Sequence, residues 1–242
     1  MSNTTNSTIS STTAATTNST VINSNSKNCN QDPGSYFIDV AQQYSSPVQG
    51  ETELEPKELN TVNSSGGFLV VSTDKLSVKY TGVNLHGHDV GVIQADRPAP
   101  DKRFVYYFEI YVKNAGAKGQ IAIGFTNQSF KMRRQPGWEA NSCGYHGDDG
   151  NLYRGTAKGE AFGPTFTTND TVGAGINYAS QEFFFTKNGE LVGAVYKDMK
   201  GLLFPTVAVH SQNEEYEYQT QEEMKQQMTV DKISLPLKVS YG

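Results

Sequence analysis

"TKNGEL" (186–191) decides the fold. Asn188-Gly189 sets two residues that accept φ > 0 side by side, which is what a type I′ turn demands. The runs on either side, "EFFFTK" and "ELVGAVY", are aromatic and β-branched, so the stretch reads as a two-residue hairpin. The same grammar extends outward. In "VYYFEIYV" (105–112), Tyr107, Glu109 and Tyr111 face opposite to Phe108, Ile110 and Val112, the period of two of a strand. "GGFLVVS", "KLSVKY", "GQIAIGF", "TVGAGINY" and "FPTVAVH" are similar short runs, punctuated by Gly, Asn, Asp or Pro. No helical period of ten residues occurs before residue 213. The expected class is all-β: an antiparallel two-sheet β-sandwich over 61–220, with its loops gathered at the ends.

The flanks differ. Residues 1–30 are almost all Ser, Thr and Asn with one charge, Lys27. Such a segment buries too little apolar surface to offset its ordering entropy, and a disordered tail is expected. Residues 31–60 add Pro33, Pro47, Pro56 and clustered acids, the composition of a linker, with one apolar island, "SYFIDVAQQY" (35–44), as a docking segment. Residues 221–242 read as a divergent C-terminal linker with a short helix. "NEEYEYQT" (213–220) keeps strand alternation, with Tyr216 and Tyr218 on one face; the alternative is a helix over "QTQEEMKQQM" (219–228) pairing Met224 with Met228.

Charge and composition exclude several classes. Residues 1–60 carry two basic against six acidic residues, 61–212 fifteen against thirteen, and 213–242 three against six. No basic footprint argues for nucleic acid. "KMRR" (131–134) is a short basic cluster whose plain reading is a solvated loop. There is no apolar run long enough to span a bilayer and no signal-peptide pattern, so no membrane partner is expected. Cys29 and Cys143 do not make a disulfide framework, which fits a cytoplasmic or nuclear setting.

Two histidine-bearing stretches imitate catalytic loops. "GYHGDDG" (144–150) holds His146, Asp148 and Asp149, and "NLHGHDVG" (84–91) holds His86, His88 and Asp89. No spacing matches a metal motif, so the first reads as a tight loop whose carboxylates cap backbone N–H groups. No G-x-S-x-G elbow exists, and "GAGINY" lacks the third glycine and the helix of a dinucleotide fingerprint. No catalytic residue, metal or cofactor is expected. "RRQPGW" (133–138) contains the single tryptophan, Trp138, either an exposed anchor for a partner or a plug beneath its loop.

From 61 to about 215 the chain resembles the SPRY domain of the RanBPM family, and within it the plant-type members. The resemblance is carried by "LNTVNSSGGFLVVSTDKLSVKYTG", "VYYFEIYVKNAGAKGQIAIGFT", "MRRQPGWEANSCGYHGDDG", "FGPTFTTNDTVGAGINYASQEFFFTKNG" and "LFPTVAVHSQNEE". It implies a bent sandwich of the concanavalin-like jelly-roll kind, without catalysis, whose loop rim binds protein or peptide partners. That rim would comprise the loop 83–90, the turn at Lys118, the loop 131–138 and the strand end at Val209 and His210. The expected partner-binding residues are His86, His88, Asp89, Lys118, Lys131, Met132, Arg133, Arg134, Trp138, Tyr145, His146, Val209 and His210. The resemblance further implies an adaptor or substrate receptor related to scaffolds of the CTLH-type ubiquitin ligase complex. Family members continue from "HSQNEE" into a Val-rich last strand and then LisH, CTLH and CRA helices. Here the strand is missing, "EEYEYQT" is the substitute expected to close the sheet, and the chain stops where LisH would start, so a monomer is expected. A lectin-like carbohydrate-binding sandwich is the alternative function, and a zinc-dependent hydrolase a third.

Overall fold

A computed structural model describes residues 54–65, 67–83, 86, 88–220 and 223–224. The expectations for the tail, the docking segment 35–44 and most of 221–242 lie outside the described residues. Among the described residues lie fourteen strands: β1 (Leu59–Ser64), β2 (Leu69–Val71), β3 (Ser77–Tyr80), β4 (Gly91–Ala95), β5 (Val105–Ala115), β6 (Ala122–Asn127), β7 (Ser142–His146), β8 (Asn151–Arg154), β9 (Gly159–Ala161), β10 (Thr171–Asn177), β11 (Glu182–Lys187), β12 (Glu190–Tyr196), β13 (Leu203–Val209) and β14 (Glu214–Gln219). They form two antiparallel seven-stranded sheets, ordered β1-β4-β13-β6-β7-β8-β9 and β12-β11-β10-β5-β14-β3-β2. The two-sheet sandwich read from the sequence is the observed fold.

The hairpin at Asn188-Gly189 is present. Lys187 pairs with Glu190, and both turn residues have positive φ, 52° and 82°. Between the sheets lies one core. Tyr106, Phe108, Ile110 and Val112 of β5 meet Ile123 and Phe125 of β6, Tyr145 of β7, and Phe183 and Phe185 of β11. Phe125 stacks on Phe183 at 5.4 Å and meets Phe108 edge-on at 5.6 Å. Each such side chain contributes about 1.5–3 kcal/mol by leaving water.

The outward faces are not simply solvated. On the sheet containing β5, outward-pointing Val105, Tyr107 and Phe184 are buried, with Met224 packed against them. On the other sheet, Val90, Val92, Ala122 and Ala208 are covered by Phe130 and Met132, which descend from the loop after β6. The period of two separates the faces correctly but does not say that each carries a second, smaller layer.

β14 occupies the slot expected for a closing strand, between β5 and β3. Tyr216 pairs with Val78 and Val112, and Tyr218 with Ile110. Both rings point into the core, while Glu217 points outward to an ion pair with Lys113 at 2.7 Å. A bulge between Glu215 and Tyr216 adjusts the register. The Tyr216 hydroxyl is buried and has no hydrogen-bond partner among the described residues. An unpaired buried hydroxyl carries its desolvation cost, so Tyr216→Phe is expected to raise stability by about 1 kcal/mol in urea unfolding; a loss of stability would show that the hydroxyl has a partner in solution.

The folded unit starts before the expected boundary at 61. Leu59 and Pro56 are buried, Arg103 pairs with Glu55, and the Lys57 amide donates to Asp96 Oδ1 at 2.9 Å. The prolines and acids of 54–60 look like linker because their partners lie far away in sequence.

Candidate functional site

The loop between β6 and β7, residues 128–141, is built as a rigid shelf. Phe130 and Met132 fasten its start to the outward face of β4, β6 and β13. Ser65 locks it to the end of β1: its hydroxyl donates to the Met132 carbonyl and accepts from the Val92 amide at 3.0 Å. The second half is held by β7. The Gly137 amide donates to Ser142 Oγ at 2.8 Å, Gln135 Nε2 to the Gln120 carbonyl at 3.1 Å, and His146 Nε2 bonds the Pro136 carbonyl at 2.9 Å. A loop tied at so many points keeps its shape without a ligand, which lowers the ordering cost of binding.

Between this shelf and the turn after β1 runs a groove of about 850 Å³. Its lining comprises Ser64, Ser65, Gly67, Phe68 and His88 on one side, and Lys131, Met132, Arg133, Arg134 and Glu139 on the other. Phe68 and Met132 supply apolar surface, with three permanent cations above it. Arg134 lies over the Trp138 ring at 5.6 Å and 3.6 Å from Glu139. Among the described residues, Lys131 and Arg133 form no ion pair. A groove with an apolar lining and cations that remain available suits an extended ligand carrying negative charge.

Of the thirteen expected partner-binding residues, the groove gathers five: His88, Lys131, Met132, Arg133 and Arg134. Trp138 is half-buried and packs on His146 and Tyr153 at 6.1 and 6.4 Å, so it plugs the base of the shelf. Lys118 is exposed but outside the groove, its amide donating to Ser211 Oγ at 3.0 Å. His86 is exposed, and its carbonyl meets His210 Nε2 at 3.2 Å.

Five expectations need correction. Tyr145 and Val209 are wholly buried in the core, where β7 and β13 turn their side chains inward. His146 is buried beneath Trp138 and Tyr153 and fastens the shelf from below. Asp89 and His210 are buried against each other, Oδ1 to Nε2 at 2.9 Å, and tie the loop before β4 to the end of β13. All five side chains are buried and brace the loops from within.

The "GYHGDDG" stretch is therefore a strand end followed by a capped turn. Asp149 accepts from the Asn151 amide at 2.9 Å, from Asn151 Nδ2 at 2.9 Å and from the Tyr153 hydroxyl at 2.7 Å. Burial holds the His146 imidazole down to about 4, well below the usual histidine range. Burial, then the neighbouring Asp149, pushes the Asp148 carboxyl upward. Among the described residues, no three His, Cys, Asp or Glu side chains converge as metal ligands would. The groove wall missed in the sequence is Ser64, Ser65, Gly67 and Phe68. The "NSSGGF" turn carried the signal, in that Ser-Gly-rich turns next to a strand leave backbone and hydroxyl groups free to anchor a neighbour.

The sequence profile of the SPRY domain matches residues 105–221. The chain is 65% identical over 208 residues to the Ran-binding protein M homolog of Arabidopsis thaliana, an alignment covering 80% of this chain and 44% of that protein. Human Ran-binding protein 9 is 36% identical over 147 residues, covering 61% of this chain and 20% of its own length. The chain thus spans less than half the length of either curated relative. A crystal structure of a human SPRY domain superposes with a TM-score of 0.57 at 37% identity, covering 63% of this chain and 94% of that domain. The two-sheet fold, the profile match and the likeness to the human SPRY domain together make the chain a member of the SPRY family, and the curated proteins it is similar to are of the Ran-binding protein M kind.

Proposed function

We propose that this protein-interaction module is a peptide receptor whose ligand is an acidic segment of a partner protein, seated in the groove between the turn at 64–68 and the shelf at 131–139. The observation that carries the reading is the convergence of Lys131, Arg133 and Arg134 over Phe68 and Met132. A bound segment gains charge complementarity from the cations and apolar burial from the floor, on a scaffold already ordered. The likeness to Ran-binding protein M supports a place as adaptor or substrate receptor of a CTLH-type ubiquitin ligase assembly, working in the cytoplasm and nucleus. No bond-making chemistry is assigned to it.

The test is an array of peptides of graded net charge, probed with the purified chain at low and high salt. Acid-rich peptides should be retained, and salt should weaken them. Arg133→Ala with Arg134→Ala should reduce that retention at least about tenfold, the loss of roughly 1.4 kcal/mol of charge-assisted contact. Arg133 is exposed, so its removal should cost under about 0.5 kcal/mol of stability, and Arg134 at most about 1 kcal/mol more through Trp138. Unchanged retention by the double variant, or retention that ignores peptide charge, overturns the reading.

A further inference from the structure

An open sheet leaves a row of backbone groups unpaired along each of its outer strands, and natural sandwiches blunt such edges. Here β2 and β9 do so by being only three residues long. β1 occupies amides internally, since Asn60 Oδ1 accepts from the amides of Val62 and Asn63, both at 3.0 Å. The remaining edge strand, β12, is seven residues long and differs. Among the described residues, no hydrogen bond reaches it from the side away from β11. The Lys197 amide donates to the Gln181 carbonyl at 2.8 Å, which sets the alternation: Lys197, Val195 and Gly193 bond toward β11. The backbone groups of Leu191, Ala194 and Tyr196 therefore point to the open side.

The side chains of the same three residues lie outside the core. Leu191 is 39% and Tyr196 67% exposed, and Ala194 between them is exposed too, whereas Val192 and Val195 pack inward. Free amides beside exposed apolar side chains are what an added strand pairs with. The sequence of the edge says which strand. "ELVGAVYK" (190–197) has an acid, Glu190, at one end and a base, Lys197, at the other. Their spacing depends on a bulge: Phe185 faces Gly193 and Thr186 faces Leu191, so Val192 and Gly193 together fill one position. Counted that way, Leu191 and Tyr196 each stand two positions from Ala194, and Glu190 and Lys197 each stand three. Turned end for end, the strand complements itself.

We propose that two copies of this chain pair β12 antiparallel to β12 about a two-fold axis through Ala194, so that one sheet of each copy continues into that of the other. Leu191 then faces Tyr196 of the second copy, and Glu190 faces Lys197. The last pair is of the non-hydrogen-bonded kind, whose Cα atoms lie only about 4.5 Å apart, so the charges meet at both ends of the contact. Lys197 Nζ donates to the Met199 carbonyl at 3.0 Å and keeps two protons for a carboxylate. A slip of one residue would set inward side chains against outward ones, which fixes the register. A symmetric contact of this kind closes at two copies and does not grow into a fibre. Val192 and Gly193 lie against Gly163 and Phe162, just beyond β9, so β12 is at the edge of the sandwich away from β1 and the groove. Both grooves of the dimer stay open. The monomer expected from the sequence took no account of this edge.

Sedimentation equilibrium of the full chain over a wide range of concentration provides the test. The unaltered protein should show a reversible monomer–dimer equilibrium, and the Ala194 and Tyr196 amides should exchange about tenfold more slowly where the dimer prevails. Glu190→Lys alone and Lys197→Glu alone should each weaken dimerisation at least about tenfold, because like charges then meet at both ends. An equimolar mixture of these two variants should dimerise as the unaltered protein does, since every end pair is again of opposite sign. Ala194→Pro removes an amide that faces the open side, which an edge strand tolerates, so this variant should keep its melting temperature and stay monomeric. A dimer that survives Ala194→Pro, or single charge variants that the mixture does not rescue, overturns the proposal. So does a chain that is monomeric at every concentration, which would leave the edge to a strand of another protein.

Discussion

A chain ended after Gln212 should aggregate on expression, whereas one ended after Gln221 should remain soluble and unfold cooperatively. The first cut removes β14 and with it Tyr216 and Tyr218, both fully buried. Losing one buried aromatic side chain costs about 3–5 kcal/mol, so losing two approaches the whole stability of a typical domain, about 5–15 kcal/mol. The backbone loss matters as much. β5 and β3 each lose a hydrogen-bonded neighbour, and two long strand edges open where the sheet was continuous. Glu214 also goes, and with it the carboxylate that accepts from the amides of His210 and Ser211. The second cut spares all of this and removes only Glu223 and Met224 among the described residues, so its cost should be a modest drop in melting temperature. Equal solubility and equal melting of the two truncated chains would mean that β14 closes nothing.

Acidification should unfold the protein through His146, and the sign follows from its burial. In the folded state His146 stays neutral down to about pH 4, whereas the unfolded chain takes up that proton near 6.5. Between those values the unfolded state binds more protons, so stability present above about pH 6.5 is lost as pH falls toward 4. At 1.36 kcal/mol per unit the loss is about 3 kcal/mol. Glu109 and Glu214 act oppositely: burial raises both, so each favours the folded state more as pH falls. Comparison with a variant isolates the histidine. His146→Gln keeps a donor within reach of the Pro136 carbonyl but cannot be protonated, and its stability should fall less than that of the unaltered protein between pH 7 and 4.5. Urea unfolding at three pH values reads the difference; parallel curves would show that His146 is not the acid-sensitive group.

Local chemistry made some of this structure legible. Asn188-Gly189 specified its hairpin because two positive-φ residues leave few other options, and the alternation of β5 and β14 specified which side chains face inward. What failed depended on third parties. Tyr145 and His146 look like loop residues inside a glycine-rich stretch, yet pairing with β6 and β8 makes "SCGYH" a strand. Periodicity separates Tyr107 and Glu109 from Phe108 and Ile110, but it cannot reveal that their face, too, is covered. "KMRR" is a solvated loop when taken alone. It becomes one wall of a groove only because β1 pairs with β4 and brings Ser65 beneath Met132, 67 residues away.

The position of β14 also constrains the order in which the molecule can be made. The β2–β3 hairpin joins the rest of its sheet only through β14, although some 130 residues separate the two in sequence. During synthesis β2 and β3 emerge early and have no sheet to join. β5, β10, β11 and β12 can pair as they appear, but the gap beside β5 stays open until residue 219 is available. Contacts of such long sequence separation carry a large loop-closure cost before they stabilise anything, which slows folding. The nascent protein therefore displays the unpaired edges of β3 and β5 until β14 has emerged, and this interval is when it most needs protection by chaperones.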